Sequence, residues 1–214
     1  MNVIEALSAR HSVRAFLPKQ VEKQKLDAIL EAAVRTPSWA NSQPWELFIA
    51  TGATLDRIRK GYAGKYAEKA EVITEIPRPA QWPDSCVKRR EQLQPGMARD
   101  CGDAAKEFGT LNQAIFNAPA AIYICVDKIL GEWALYDVGA YTQSLMLAAV
   151  HHGLDTIPAY TMMLYPDVLR KELKIPDNLK LAIGIAIGYA DKEHGINKFS
   201  SERSPLGETV RFLD

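Results

Sequence analysis

Two short stretches of this chain carry side chains suited to gripping a small anionic ligand. The first is Arg10-His11-Ser12-Val13-Arg14. In an extended segment alternate residues face the same side, so Arg10, Ser12 and Arg14 can converge. Two guanidiniums and a hydroxyl make a good grip on a phosphate, because arginine presents paired planar donors to oxyanions. At an effective dielectric near ~20, each close contact is worth up to about 4 kcal/mol before desolvation is subtracted. The same arginines would also serve at the C-terminus of a helix, where cations are favoured; both readings stand. The second stretch is Pro37-Ser38-Trp39-Ala40-Asn41-Ser42-Gln43-Pro44-Trp45. Asn41 and Gln43 offer amide donors and acceptors, Ser38 offers a hydroxyl, and Pro44 is expected to hold Gln43 extended. A rigid polar loop of this kind suits hydrogen bonding to a heteroaromatic ring. A turn satisfied by its own Asn and Ser side chains is the plainer alternative.

Other chemistries find less support. The 26 basic and 26 acidic residues cancel, which leaves no basic stripe for nucleic acid and no polybasic membrane patch. Cys86, Cys101 and Cys125 are odd in number and lack C-x-x-C spacing. That usage points to a reducing compartment, the cytoplasm, and to no disulfide framework. His151 and His152 are adjacent but have no cysteine nearby, so a metal site is not expected. No Ser-His-Asp, Cys-His or paired-carboxylate arrangement is obvious. The N-terminal residues carry Glu5 and lack the layout of a signal peptide, and no apolar run approaches the ~18 residues of a membrane span.

The elements that must position these stretches are partly readable. At 214 residues the chain suits one domain with a sizeable core. Asn2 and Glu5 form a capping box for a short helix, and residues 12–17 read as extended. Leu26, Ile29, Leu30, Ala33 and Val34 repeat with helical spacing. A strand is expected from Glu46 to Ala50. Between Thr54 and Gln113 the periodicity breaks, with many charges and a Pro-rich loop around Trp82; helices plus a lid-like excursion are expected there. Ala121–Val126 reads as a strand buried on both faces, and 135–152 as a mostly apolar core helix ended by Gly153. Asp167–Leu173 reads as a short helix.

In the strand read at Leu181–Tyr189 the odd positions are bulky and the even ones are Ala182, Gly184, Ala186 and Gly188. One face is therefore nearly bare, and a flat ligand or, more plainly, a closely packed helix can press against it. Strands set among helices in this way give an α+β sandwich with helices covering the sheet.

Taken together and in order, these motifs resemble the nitroreductase family. Arg10 to Phe16 and Asn41 to Trp45 are similar to its N-terminal FMN-binding signature. Thr156-Ile157-Pro158-Ala159-Tyr160-Thr161 is similar to its loop beside the flavin ring. Gly184, Gly188 and Tyr189 with Ala190-Asp191 resemble its late core strand, and Arg203-Ser204-Pro205-Leu206 its closing basic residue. Pro79 to Pro83 and Arg89-Arg90 resemble most the branch that includes p-nitrobenzoate reductases. Thr161 and Ser201 depart from the glycine and lysine that many members carry, with Lys198 as a substitute charge.

The resemblance implies a central, mostly antiparallel sheet covered by helices, in an intertwined homodimer with FMN at the interface. It implies that Arg10, Ser12, Arg14 and Arg203 hold the phosphate and ribityl end, with His11 helping through its backbone. Pro37, Ser38, Trp39, Asn41 and Gln43 would reach the flavin from the other subunit. Pro158, Ala159, Tyr160 and Thr161 would line the ring, with a backbone N–H near Tyr160 aimed at the flavin N5, and Asn112 would touch the pyrimidine edge. Trp82 or Trp133 would cover the ring or else pack in the core. The implied reaction is ping-pong transfer of hydride from NADH or NADPH to a small flat nitroaromatic or quinone. Reductive dehalogenation or dehydrogenation, flavin binding without turnover, and capture of a different phosphate by the arginines are the alternatives.

Overall fold

The computed structural model describes residues 1–213. Its centre is a four-stranded sheet of β1 (Trp45–Thr51), β2 (Ala120–Asp127), β3 (Asp155–Ala159) and β4 (Leu179–Gly188). The order is β1-β2-β4-β3 and every neighbouring pair is antiparallel. The helices are α1 (Val3–Ala9), α2 (Lys23–Ala33), α3 (Gly52–Ala67), α4 (Asp84–Glu91), α5 (Leu93–Cys101), α6 (Phe108–Gln113), α7 (Glu132–His151) and α8 (Pro166–Leu173). A last short turn of helix spans Leu206–Thr209. The Asn2–Glu5 capping box is formed in both directions, and Gly153 takes the left-handed φ of +72° that ends α7.

The sheet has apolar cover on both faces. On one side Ile122 and Ile124 of β2 and Ile185 and Ile187 of β4 meet Leu26 and Ile29 of α2 and Tyr141 and Leu145 of α7. On the other, Tyr123, Cys125 and Ala186 lie under Leu55, Ile58 and Tyr62 of α3 and Leu169 of α8. β2 is accordingly buried from Ala120 through Val126, as its unbroken apolar run requires.

β4 departs from simple alternation. Ile183 pairs with Ile124 but Leu181 pairs with the next residue, Cys125, leaving Ala182 as a bulge. Leu179 and Leu181 therefore turn to the α3 side, while Ile183, Ile185 and Ile187 stay on the α7 side. The expected bulky face begins at Ile183, not Leu181. The bare face is filled by protein. A Cβ on Gly184 would stand 2.7 Å from Met162 Cβ, and one on Gly188 would stand 2.5 Å from Pro119 Cδ. Met162 belongs to a 3-10 turn, Tyr160–Met163, so what presses on this face is that turn and the Pro119 ring in place of the packed helix expected.

Two further expectations change. The 156–161 stretch is a strand up to Ala159, because it pairs with β4 from Gly188 to Gly184, and becomes a turn only at Tyr160. The α7 helix packs one face into the core through Ala134, Val138, Tyr141, Leu145 and Ala149, but leaves Trp133 64% and Tyr136 71% exposed. Its apolar circumference exceeds what one copy of the chain buries.

Candidate functional site

The N-terminal arginines are fixed at the free edge of β3. Ser12 bridges Thr156 in parallel, and the N–H of Val13 donates to the Thr156 carbonyl at 3.1 Å. Asn197 then ties this edge to the C-terminal region. Its Oδ1 accepts the backbone N–H groups of Arg14 and Ala15 at 2.6 and 3.2 Å. Its Nδ2 donates to the carbonyls of Ala15 and Asp191 at 2.7 and 2.9 Å. Arg14 lies over the Phe199 ring, 5.2 Å from its centroid.

Among the described residues these charges have no local neutraliser. Burial holds the Arg10 guanidinium below its ordinary pKa, and the positive charge of Arg203 lowers it further. Burial likewise lowers Arg14, whose Nη1 donates to the Ser12 carbonyl at 2.8 Å. Arg203 Nη1 donates to the Ser201 carbonyl and hydroxyl, each at 2.7 Å. Among the described residues no carboxylate forms an ion pair with Arg10, Arg14 or Arg203. Among the described residues Arg14 Nε and Thr156 Oγ1 are buried without a hydrogen-bond partner. Clustered cations and unsatisfied polar atoms of this kind fit a bound oxyanion. The residues present therefore suit the phosphate of a flavin mononucleotide. His11 sits beside them, its Nδ1 3.0 Å from the Ala9 carbonyl oxygen.

The second motif is a tight, self-bonded turn. Ser38 Oγ accepts the N–H of Gln43 at 2.9 Å, and Gln43 Nε2 donates to Asn41 Oδ1 at 3.2 Å. Gln43 has a φ of +46°, with Ala40 and Asn41 also left-handed. The extended conformation expected from Pro44 is overridden by these closing bonds. The turn is anchored to α7, where the buried carboxylate of Asp137 accepts the Trp39 N–H at 3.1 and 3.3 Å. Trp39 is 67% exposed, its ring 6.2 Å from that of Trp133. Among the described residues no hydrogen bond joins this turn, with its Pro37, to the arginine cluster.

Pro158 and Ala159 end β3 at the same edge, and Tyr160 and Thr161 open the turn that follows. Thr161 Oγ1 donates to Asn112 Oδ1 at 2.8 Å, and Asn112 Nδ2 donates to the Phe108 carbonyl at 2.8 Å. The Thr161 hydroxyl thus orients Asn112. Tyr160 also borders a pocket of about 350 Å³ shared with Trp82 and the 74–79 segment. Neither Trp82 nor Trp133 is a core residue; the first lines this pocket and the second is largely exposed.

Sequence reasoning missed Asn197 and Asp137. A lone acid inside the apolar run of α7 was a usable signal for Asp137. Asn197 had none, because its Arg14 and Ala15 partners lie at the other end of the chain. Among the described residues no cluster of ligating side chains could hold a metal ion, and no helix is long and apolar enough to cross a membrane.

Comparison with known proteins agrees with this geometry. The family model described as "Nitroreductase family" matches residues 7–189. Nitroreductase NfnB of Mycolicibacterium smegmatis is 31% identical over 212 residues, covering 96% of this chain and 90% of its own length. A 4-nitrobenzoate reductase of a Nocardioides species is 30% identical, covering 98% of this chain and 91% of its own. Among solved structures, the FMN-dependent nitroreductase NfnB from Mycobacterium smegmatis in complex with NADPH superimposes with a TM-score of 0.90. It is 29% identical, with both chains fully covered.

Proposed function

The chain belongs to the nitroreductase family, and on that premise we propose that it is an NAD(P)H-dependent FMN oxidoreductase that reduces small nitroaromatic acceptors. The observation that carries this reading is the approach of Arg10 and Arg203 from the two ends of the chain, with Arg14 buried at the same sheet edge and, among the described residues, none of the three ion-paired to a carboxylate. Among relatives matched over nearly their whole length, one is a 4-nitrobenzoate reductase and another is an FMN-dependent nitroreductase solved in complex with NADPH.

Bound FMN would supply the two-electron chemistry that links reduced nicotinamide to acceptor. The chain's own groups bind and orient. Arg10, Arg14 and Arg203 would neutralise the phosphate and the Ser12 hydroxyl would hydrogen-bond it, with the His11 backbone beside them. Pro158, Ala159 and Tyr160 present a ring-sized edge, where the Tyr160 N–H serves as a fixed donor. Asn112, held by Thr161, would hydrogen-bond the polar end of the ring.

The remaining contacts come from a second copy. Pro37, Ser38, Trp39, Asn41 and Gln43 form a turn that projects from α7 alongside exposed Trp133 and Tyr136. Burying that aromatic face against its symmetry mate, as large exposed apolar patches favour, would carry the turn to the partner's flavin. We further take the chain as one domain, with 54–113 as an excursion whose 74–82 segment roofs the acceptor pocket. Free Cys86, Cys101 and Cys125 suit a cytoplasmic location.

The test is direct. FMN-loaded protein, kept free of oxygen, should lose its yellow absorbance on addition of NADPH or NADH and regain it when a nitroarene is added. Colour that persists with both nicotinamides would leave a binding module; colourless protein that refuses FMN would leave a site for some other phosphate.

A further inference from the structure

We propose that Arg78 is a specificity-determining residue of this reaction, selecting flat aromatic acceptors that carry a carboxylate. The inference rests on the reading above, in which Tyr160 lies beside the flavin ring. The pocket of about 350 Å³ next to Tyr160 is floored by Leu181, Ala182 and Ile183 and walled by Met163 and Trp82. Its size and apolar lining suit a single substituted aromatic ring. Arg90 stacks on Trp82, 4.5 Å from the ring centroid, and steadies the indole as a wall.

Two charged residues line this space, and one of them is already neutral in effect. Glu75 Oε1 accepts Nε and Nη2 of Arg170 at 2.9 and 2.7 Å, and its Oε2 accepts the Leu181 N–H at 2.6 Å. Arg78 is different. Its guanidinium lies 5.2 Å from the Tyr160 ring centroid. Among the described residues it has no ion-pair or hydrogen-bond acceptor. An arginine laid on an aromatic face keeps its in-plane N–H donors free, and these match a carboxylate bidentately. An acceptor ring entering beside Tyr160 therefore meets apolar walls and one unspent positive charge.

The anion recognised could also be a phosphate of the nicotinamide dinucleotide, and the experiment separates the two sources. Benzoate and benzamide, which cannot be reduced, are titrated into the FMN-loaded protein by calorimetry for wild type, Arg78→Gln and Arg78→Lys. Arg78→Gln should weaken benzoate about tenfold, the scale of one charge-assisted contact at a partly exposed site, and leave benzamide unchanged. Arg78→Lys should recover part of the loss. The ratio of kcat/KM for 4-nitrobenzoate over 4-nitrobenzamide should fall about tenfold in Arg78→Gln. Equal effects on both members of either pair would overturn the assignment. So would a selective rise in KM for NADPH over NADH with benzoate binding unchanged. A wild type that reduces neither nitro compound would refute the parent reading instead, while the calorimetry would still decide Arg78.

Discussion

The side-chain oxygen of Asn197 accepts the backbone N–H of Arg14 at 2.6 Å. With its contacts to Ala15 and Asp191, this one amide group reinforces the tie that the Phe16–Ala190 bridge and the Asp191 N–H to Ala15 carbonyl bond also make between the two ends of the chain.

Asn197→Ala removes four contacts to buried or half-buried backbone groups. It should destabilise the fold by about 2–3 kcal/mol and lower Tm by roughly 4–10 °C for a chain of this size. Calorimetric melting measures the first effect, and flavin retained after dialysis should fall with it. An unchanged melt would show that the clamp is incidental.

Trp133→Glu places a carboxylate on the aromatic face formed with Trp39 and Tyr136. Size-exclusion chromatography with light scattering should find monomer in place of dimer at micromolar concentration. The monomer should be colourless, since the 37–43 turn of the second copy is then missing. Yellow monomer would contradict the shared site.

Gly188→Ala puts a methyl 2.5 Å from the rigid Pro119 ring and 3.1 Å from Phe16. Overpacking of this kind costs typically ~1–3 kcal/mol. Because Phe16 lies two residues after Arg14 and bridges Ala190, chemical denaturation should show a loss in that range together with weaker FMN binding. A variant as stable as wild type would mean that the N-terminal segment shifts without resistance.

Much of this architecture was legible in the sequence where the signal is local. The Asn2–Glu5 box, the α2 spacing, the apolar run of β2 and the glycine after α7 each follow from neighbours a few residues apart. Legibility failed where distant pairing decides. The bulge at Ala182 depends on how β2 meets β4, so Leu181 changed faces without any mark in its own segment. Gln43 turned left-handed because Ser38 Oγ captures its N–H, a bond that proline geometry alone does not foresee. The Glu75–Arg170 pair, with Leu181 as third partner, pins a segment whose broken periodicity carried no pattern. Of the site, the arginines and the 37–43 motif were readable from residue type; Asn197, Asp137 and the orienting contact of Thr161 on Asn112 were not.

The central claim is that Arg10, Arg14 and Arg203 form one anion site for the FMN phosphate. It is tested most directly by titrating flavin-free protein with FMN and with riboflavin, which lacks the phosphate, for wild type and Arg203→Ala. Wild type should bind FMN at least about a hundredfold more tightly than riboflavin, as two or so charge-assisted contacts would give. Arg203→Ala should lose about tenfold for FMN and nothing for riboflavin, with its melting temperature intact. Equal affinity of the wild type for the two flavins would contradict the account.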